Sequence, residues 1–362
     1  MRGQVESQPS MLTLMNPDSV VPKDHPIRGI KGLADDALSS MGATFDRMYA
    51  TAGRPSIPPE RLLKAQLLIA LYSVRSERLF CEQLGYNLLF RWFLDMNMDE
   101  KTFDASTFSQ NRDRQIEHDV ARTFFGAVVQ RAELAGLVSK DHFSVDGTLF
   151  EAWASLKSFK RKDGQSKGPD DDDKGNPTVN FRGEKRRNET HQSSTDPDAK
   201  LSRHSDGTTA KLCFAGHGLM ENRHGLLVDM VVTKSVGVTE REAALDMLLA
   251  KADPHRRRTV GGDKGYDTNM FVEMCRMLNI SPHVAANTGR RGGAAVDGKT
   301  TRHAGYQVSQ KLRKRIEEIW GWMKTVGGLR KTRFKGTKRV NLHALFAGAA
   351  YNLLRMARLM AA

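Results

Sequence analysis

The sequence predicts an α/β chain: a mixed sheet with flanking helices, preceded by an all-α N-terminal domain. Three observations carry this. From about Pro58 to Leu137 apolar residues recur at helical spacing. Beyond Gly136, short apolar runs bounded by turn residues read as strands. The later strands alternate with helical stretches, as expected for a sheet with helices packed on it.

Residues 1–25 are polar and proline-rich and read as an arm. Residues 26–137 form the helical domain. Pro58 and Pro59 suit a first helical turn, and Leu62, Leu63, Gln66, Leu67 and Ala70 keep near-helical spacing. Ser76 is placed to cap a short helix through Leu79, Phe80 and Leu84, with Gly85 as its stop. A helix through Leu88, Leu89, Trp92 and Phe93 follows, then one beginning at Thr107 behind a Ser106 cap. Such a cluster fits either a helix-turn-helix-like DNA reader or a helical scaffold for assembly.

Residues 138–362 form the second domain. His142–Asp146 reads as a strand, and residues 155–209 as a long polar loop or disordered insertion containing the acidic run Asp170–Asp173. Leu212–Met220 and Leu226–Val232 make a hairpin about Glu221–Gly225. Helix Glu240–Ala250, strand Arg258–Gly262, helix Met270–Leu278 and strand Ile280–Ala285 follow. A basic glycine-rich loop, Gly289–Gly305, leads to a helix from Val308 to Met323, and Leu342–Met360 is the last helix. The ribonuclease H-like fold has this order of elements, as do other α/β sheets.

Charge narrows the partners. The chain has 362 residues and a net charge of +14, which favours a polyanion, nucleic acid first. Between Arg290 and Arg339 fifteen basic residues face three acidic ones, a local charge of +12. Three separated cysteines, Cys81, Cys213 and Cys275, support neither a disulfide framework nor a cysteine zinc site. No apolar run is long enough to span a membrane, and the N-terminus lacks a signal-peptide pattern. A cytoplasmic protein is expected.

Metal-dependent phosphoryl transfer needs carboxylates that converge on one point. Asp146 ends the first strand in Ser144-Val145-Asp146-Gly147-Thr148, where Asp-Gly also suits a plain turn. Asp263 follows the strand Arg258–Gly262, and a helix cap explains it equally well. Arg313, Glu317 and Lys324 fall within about 40° of one another on a helix, and an ordinary Arg313–Glu317 ion pair is the plainer explanation. Periodicity does not choose between Glu317 and Glu318.

These residues resemble a bacterial insertion-sequence transposase with a DDE catalytic domain, of the insertion sequence five family. The likeness rests on Ser144–Thr148 with Glu151-Ala152-Trp153-Ala154-Ser155, on Gly262-Asp263-Lys264-Gly265-Tyr266-Asp267, and on the stretch Arg313–Lys324. Gly53–Ser56, Leu71–Glu77, Tyr86–Phe93 and Ser106–Ser109 resemble the helical domain that precedes catalysis in that family. The resemblance covers about Asp24 to Arg358. It implies a ribonuclease H-like catalytic domain and a triad of Asp146, Asp263 and Glu317 holding two Mg2+ ions, with Mn2+ as a substitute. It selects Glu317, because the family's Tyr-x2-Arg-x3-Glu-x6-Lys pattern matches at Arg313, Glu317 and Lys324. The Tyr position is Gln310 here, which can hydrogen-bond a phosphate or base but not stack.

The implied reaction is cleavage at transposon ends, then attack of the freed 3′-hydroxyl on target DNA. Double-stranded DNA, as terminal inverted repeats and target, is the implied partner, gripped by a homodimer or larger assembly. Arg313, Lys324, Gln310, Arg290, Arg291, Arg330, Lys331, Arg333 and Lys335 are the expected DNA contacts. A structure-selective nuclease of the same fold, or a non-catalytic regulator derived from a transposase, are the alternatives.

Overall fold

A computed structural model describes residues 16–49, 56–163, 186–203, 207–237 and 239–361. The first fifteen residues of the expected arm, and the run Asp170–Asp173, lie outside them. One short helix, α1 (Pro17–Val20), lies within the segment expected to be an arm, and the part after it is helical as expected: α2 (Ile27–Ser39), α3 (Gly42–Met48), α4 (Pro59–Leu71), α5 (Glu77–Leu84), α6 (Leu88–Phe93), α7 (Ser106–Glu117) and α8 (Val120–Leu134). Local chemistry sets several ends. The Ser76 hydroxyl accepts the Leu79 amide and Asn87 accepts that of Phe90, each meeting a donor that the first turn leaves unpaired. The expected Ser106 cap is corrected. Ser106 is the first helical residue, and the Asp104 carboxylate takes its amide at 2.8 Å.

The second part opens with β1 (His142–Glu151), twice the expected length, so that Asp146 sits in mid-strand rather than at a strand end. Short strands β2 (Phe159–Arg161), β3 (His191–Ser193) and β4 (Lys200–Ser202) follow. The segment read as an unstructured insertion is therefore partly folded. Ser158 and Ser193 share a buried hydroxyl contact, and Asp196 and Asp198 accept the Gly336 and Thr337 amides at the start of the final helix. Its polar composition hid this, because its side chains serve as caps and short-strand contacts rather than as an apolar core.

β5 (Lys211–Glu221), β6 (Leu227–Lys234), α9 (Thr239–Leu249), β7 (Arg258–Gly262), α10 (Asn269–Met277) and β8 (Ile280–Val284) match the expected order closely. The expected loop before the basic helix contains α11 (Gly298–Thr301). The helix expected over Val308–Met323 is two, α12 (Ala304–Leu312) and α13 (Ile316–Thr325), joined by a tighter turn at Arg313–Arg315. The chain ends in α14 (Thr337–Met360).

The sheet runs β4-β5-β1-β7-β8, with β6 also on β5, on the edge away from β1. β1 is antiparallel to β5 and parallel to β7, and β7 is parallel to β8. Counting the hairpin strands as second and third, this is the 3-2-1-4-5 mixed sheet of the ribonuclease H-like fold. The outermost strand β8 carries Pro282, a residue a sheet tolerates at its border because it has no amide to donate. One apolar core unites sheet and helices. α14 is its keel: it packs on α8, α4, α2 and β6, with Phe346 against Phe124. Asn352 also bonds the Leu227 backbone in both directions. No helix of the described residues is long and apolar enough to cross a membrane.

Candidate active site

β1 and β7 pair only from His142 to Ser144 and from Thr259 to Gly261. Past that point the two strands part, and Asp146 on β1 and Asp263 just after β7 stand at the mouth of the gap. Asp146 shares its sheet face with Ser144, Thr148 and Phe150 on its own strand and with Gly216 and Gly218 on β5. α13 lies over that face. A Cβ on Gly218 would meet the Trp320 ring at 2.8 Å, so only a bare backbone lets the indole lie this low. There Trp320 Nε1 donates to Asp146 Oδ2 at 3.1 Å, and the ring meets Phe150 edge-on.

The electrostatics mark Asp146 as the strained member. Burial, then the charges of Glu240 and Asp263, push its carboxyl up to about 7, against help from the Gly147 amide and Trp320. Glu240, in the first turn of α9, is likewise raised, first by burial of its carboxylate and then by Asp263. Its carboxylate accepts from the Tyr266 hydroxyl at 2.9 Å. Asp263 accepts the Gly265 amide through Oδ1 at 2.7 Å. The Asp-Gly turn explanation for Asp146 thus fails: Asp146 and Gly147 pair with Gly218 and His217 inside the sheet.

α13 runs along β1. Arg313 lies over Gly261 and Ser144, with its Cβ 3.3 Å from where a Gly261 Cβ would stand, and Trp320 reaches Asp146. Glu317 sits between them on the helix and is exposed. Lys324 lies one turn beyond Trp320, half-buried, its ammonium disfavoured by burial and favoured by Cys213 and Asp146. Gln310 has a definite task. It donates to the His283 carbonyl and accepts from Arg313 Nε at 2.9 Å, holding that guanidinium in place.

Among the other expected DNA contacts, Arg290, Arg291, Arg330, Lys331 and Lys335 are exposed. Lys331 pairs with Glu151. Arg333 is turned inward, donating to the Val74 carbonyl and packing on Phe334. Among the described residues, no three His, Cys, Asp or Glu side chains form a group able to hold a metal ion by themselves. Asp146, Glu240 and Asp263 nonetheless offer the hard oxygen donors that magnesium prefers, crowded enough to raise two of their proton affinities. Sequence reasoning missed Glu240, Tyr266 and the Trp320 bond. An acidic residue in a helix's first turn looks like an ordinary dipole partner, whereas the Gly216-His217-Gly218 pattern inside a strand signalled a close approach.

A ribonuclease H-like sheet with an acidic gap at its centre and a basic helix across it defines the class: an α/β domain built for nucleic-acid chemistry. Residues 139–353 match the family described as Transposase DDE domain, and residues 15–114 match Transposase domain (DUF772). The chain belongs to the transposase DDE domain family and is a DNA transposase of the insertion-sequence type. No curated protein matches it. It is similar to a solved structure, "Cryo-EM structure of piggyBac transposase synaptic complex with hairpin DNA (SNHP)". The identity is 9% over 93% of this chain and 76% of that one, and the TM-score is 0.44.

Proposed function

We propose that Asp146, Asp263 and Glu317 form the catalytic triad of this transposase, cutting transposon ends and joining the 3′-hydroxyl to target DNA. The observation that carries the reading is the mutual repulsion of Asp146 and Asp263 where β1 and β7 part, near the helix that bears Glu317. Glu317 follows Arg313 by four residues and precedes Trp320 by three, so it stands about 5 Å along the helix from each. Its side chain is exposed and would have to turn toward Asp146 to complete the three.

Two magnesium ions would be held by these carboxylates and would supply charge stabilisation for the attacking and leaving oxygens of an in-line displacement. The chain's own groups do the rest. Trp320 fixes one Asp146 oxygen. The Gly265 amide holds Asp263 by one oxygen in the same way. Arg313, steadied by Gln310, and Lys324 are placed to hold phosphates of the DNA end, while Arg290, Arg291, Arg330, Lys331 and Lys335 grip its flanks. Residues 26–137 serve DNA binding and assembly, and two ends joined in one reaction call for two or more copies acting on the cell's nucleoid. The subgroup is insertion sequence five.

The test is strand cleavage of a terminal-repeat duplex in Mg2+. D146A, D263A and E317A are each expected to lose about 10³-fold or more, whereas E318A keeps its rate. Cleavage surviving in all three would remove the site.

A further inference from the structure

β1 and β7 pair only as far as Ser144 and Gly261, and β1 next meets backbone on that side where Glu151 bridges Lys331, so Asp146 to Phe150 have no partner strand there. Something else must fix the distance between the two backbone segments that carry Asp146 and Asp263. Glu240 occupies that position. Its Oε1 lies 2.6 Å from where a Cβ on Gly147 would be, so the carboxylate is pressed onto the peptide next to Asp146. It also accepts the hydroxyl of Tyr266, a residue only 1% exposed and three positions after Asp263. Tyr266 in turn packs on Phe271 of α10, and its ring lies against Gly262. One side chain from α9 thereby touches both segments.

We propose that Glu240 and Tyr266 form a strap that sets the spacing of Asp146 and Asp263, making Glu240 a positioning residue for the reaction. A carboxylate is suited to this role because it accepts at both ends and donates at neither. The chain meets the strap's steric demand with glycine at 147, since any side chain there would collide with Glu240. This inference rests on the reading that Asp146 and Asp263 hold a divalent ion.

The test is a calorimetric Mn2+ titration of the full-length protein without DNA, beside Y266F, E240A, the double variant and D146N. Y266F removes one oxygen and no charge, so it is the decisive variant and the one least able to disturb folding. Y266F is expected to weaken Mn2+ binding about five-fold, the worth of one net hydrogen bond. E240A, which leaves no acceptor for the Tyr266 hydroxyl, should weaken it at least as much, and adding Y266F to E240A should change nothing more, because the strap is already cut. Metal-free binding of a terminal-repeat duplex should be unaltered in both.

If D146N abolishes Mn2+ binding while Y266F stays within two-fold of the wild type, the strap is wrong and the acidic site stands. Independent, multiplying losses in the double variant would also overturn the strap. If the wild type binds no Mn2+, or D146N binds it as well, the underlying site falls and the strap with it.

Discussion

Glu221 and Asp146 sit on neighbouring strands three rungs apart, and the protein treats their carboxylates in opposite ways. Glu221 is fully buried yet completely served: the amides of Ser139, Arg223, His224 and Leu226 all donate to it, at 2.8–3.2 Å. It is the hub about which the β5–β6 turn is wound. Asp146 has one indole donor and an adjacent amide, and it faces two more acids. The first carboxylate is finished by the fold. The second is left short of donors beside two other acids, the deficit that suits the cation-holding role proposed for it.

Three measurements can break or sharpen this contrast. E221A should be the most damaging, because four amides, those of Ser139 and Leu226 buried and those of Arg223 and His224 part-buried, lose their acceptor at once. A loss of about 4 kcal/mol or more in denaturant unfolding is expected, and a loss under about 1 kcal/mol would show the hub to be dispensable.

D146N should act with the opposite sign. The folded-state affinity of Asp146 for its proton lies above the unfolded value, so its ionisation costs stability as pH rises from about 4 to about 7. The penalty is present in full above that window and absent below it. Without metal at pH 8, D146N should therefore be more stable than the wild type by about 4 kcal/mol at most. That advantage should vanish at pH 4. Equal unfolding midpoints at pH 8 would mean that Asp146 is not electrostatically strained.

S76A supplies the small end of the scale. Losing a surface cap on α5 should cost about 1 kcal/mol and leave DNA cleavage untouched.

Much of the fold could be read from the sequence because its signals are local. β7 and the β5–β6 hairpin follow from apolar runs between turn residues, and the Ser76 and Gly85 limits of α5 from capping chemistry. What escaped depends on contacts distant in sequence. Asp196 and Asp198 are polar residues whose purpose appears only when residues 336 and 337 arrive to be capped. The break between α12 and α13 falls in a continuous helical pattern, where periodicity alone shows no interruption. In the site, Asp146 and Asp263 were visible as motif residues, while Glu240 was not. Its meaning depends on where β7 ends, and no window around residue 240 contains that fact.

Pro282 has a bearing on how copies of this protein can meet. The proposed strand transfer would gather several molecules on one stretch of DNA, a setting in which open sheet borders tend to zip together and precipitate. At the β8 border Pro282 is buried and has no amide to offer, and the Tyr306 hydroxyl of α12 already donates to the Val284 carbonyl, so an incoming strand would find that edge covered. Hydrogen-bonded fusion of two sheets is thereby discouraged on that flank, leaving side chains and the nucleic acid itself to decide who sits beside whom.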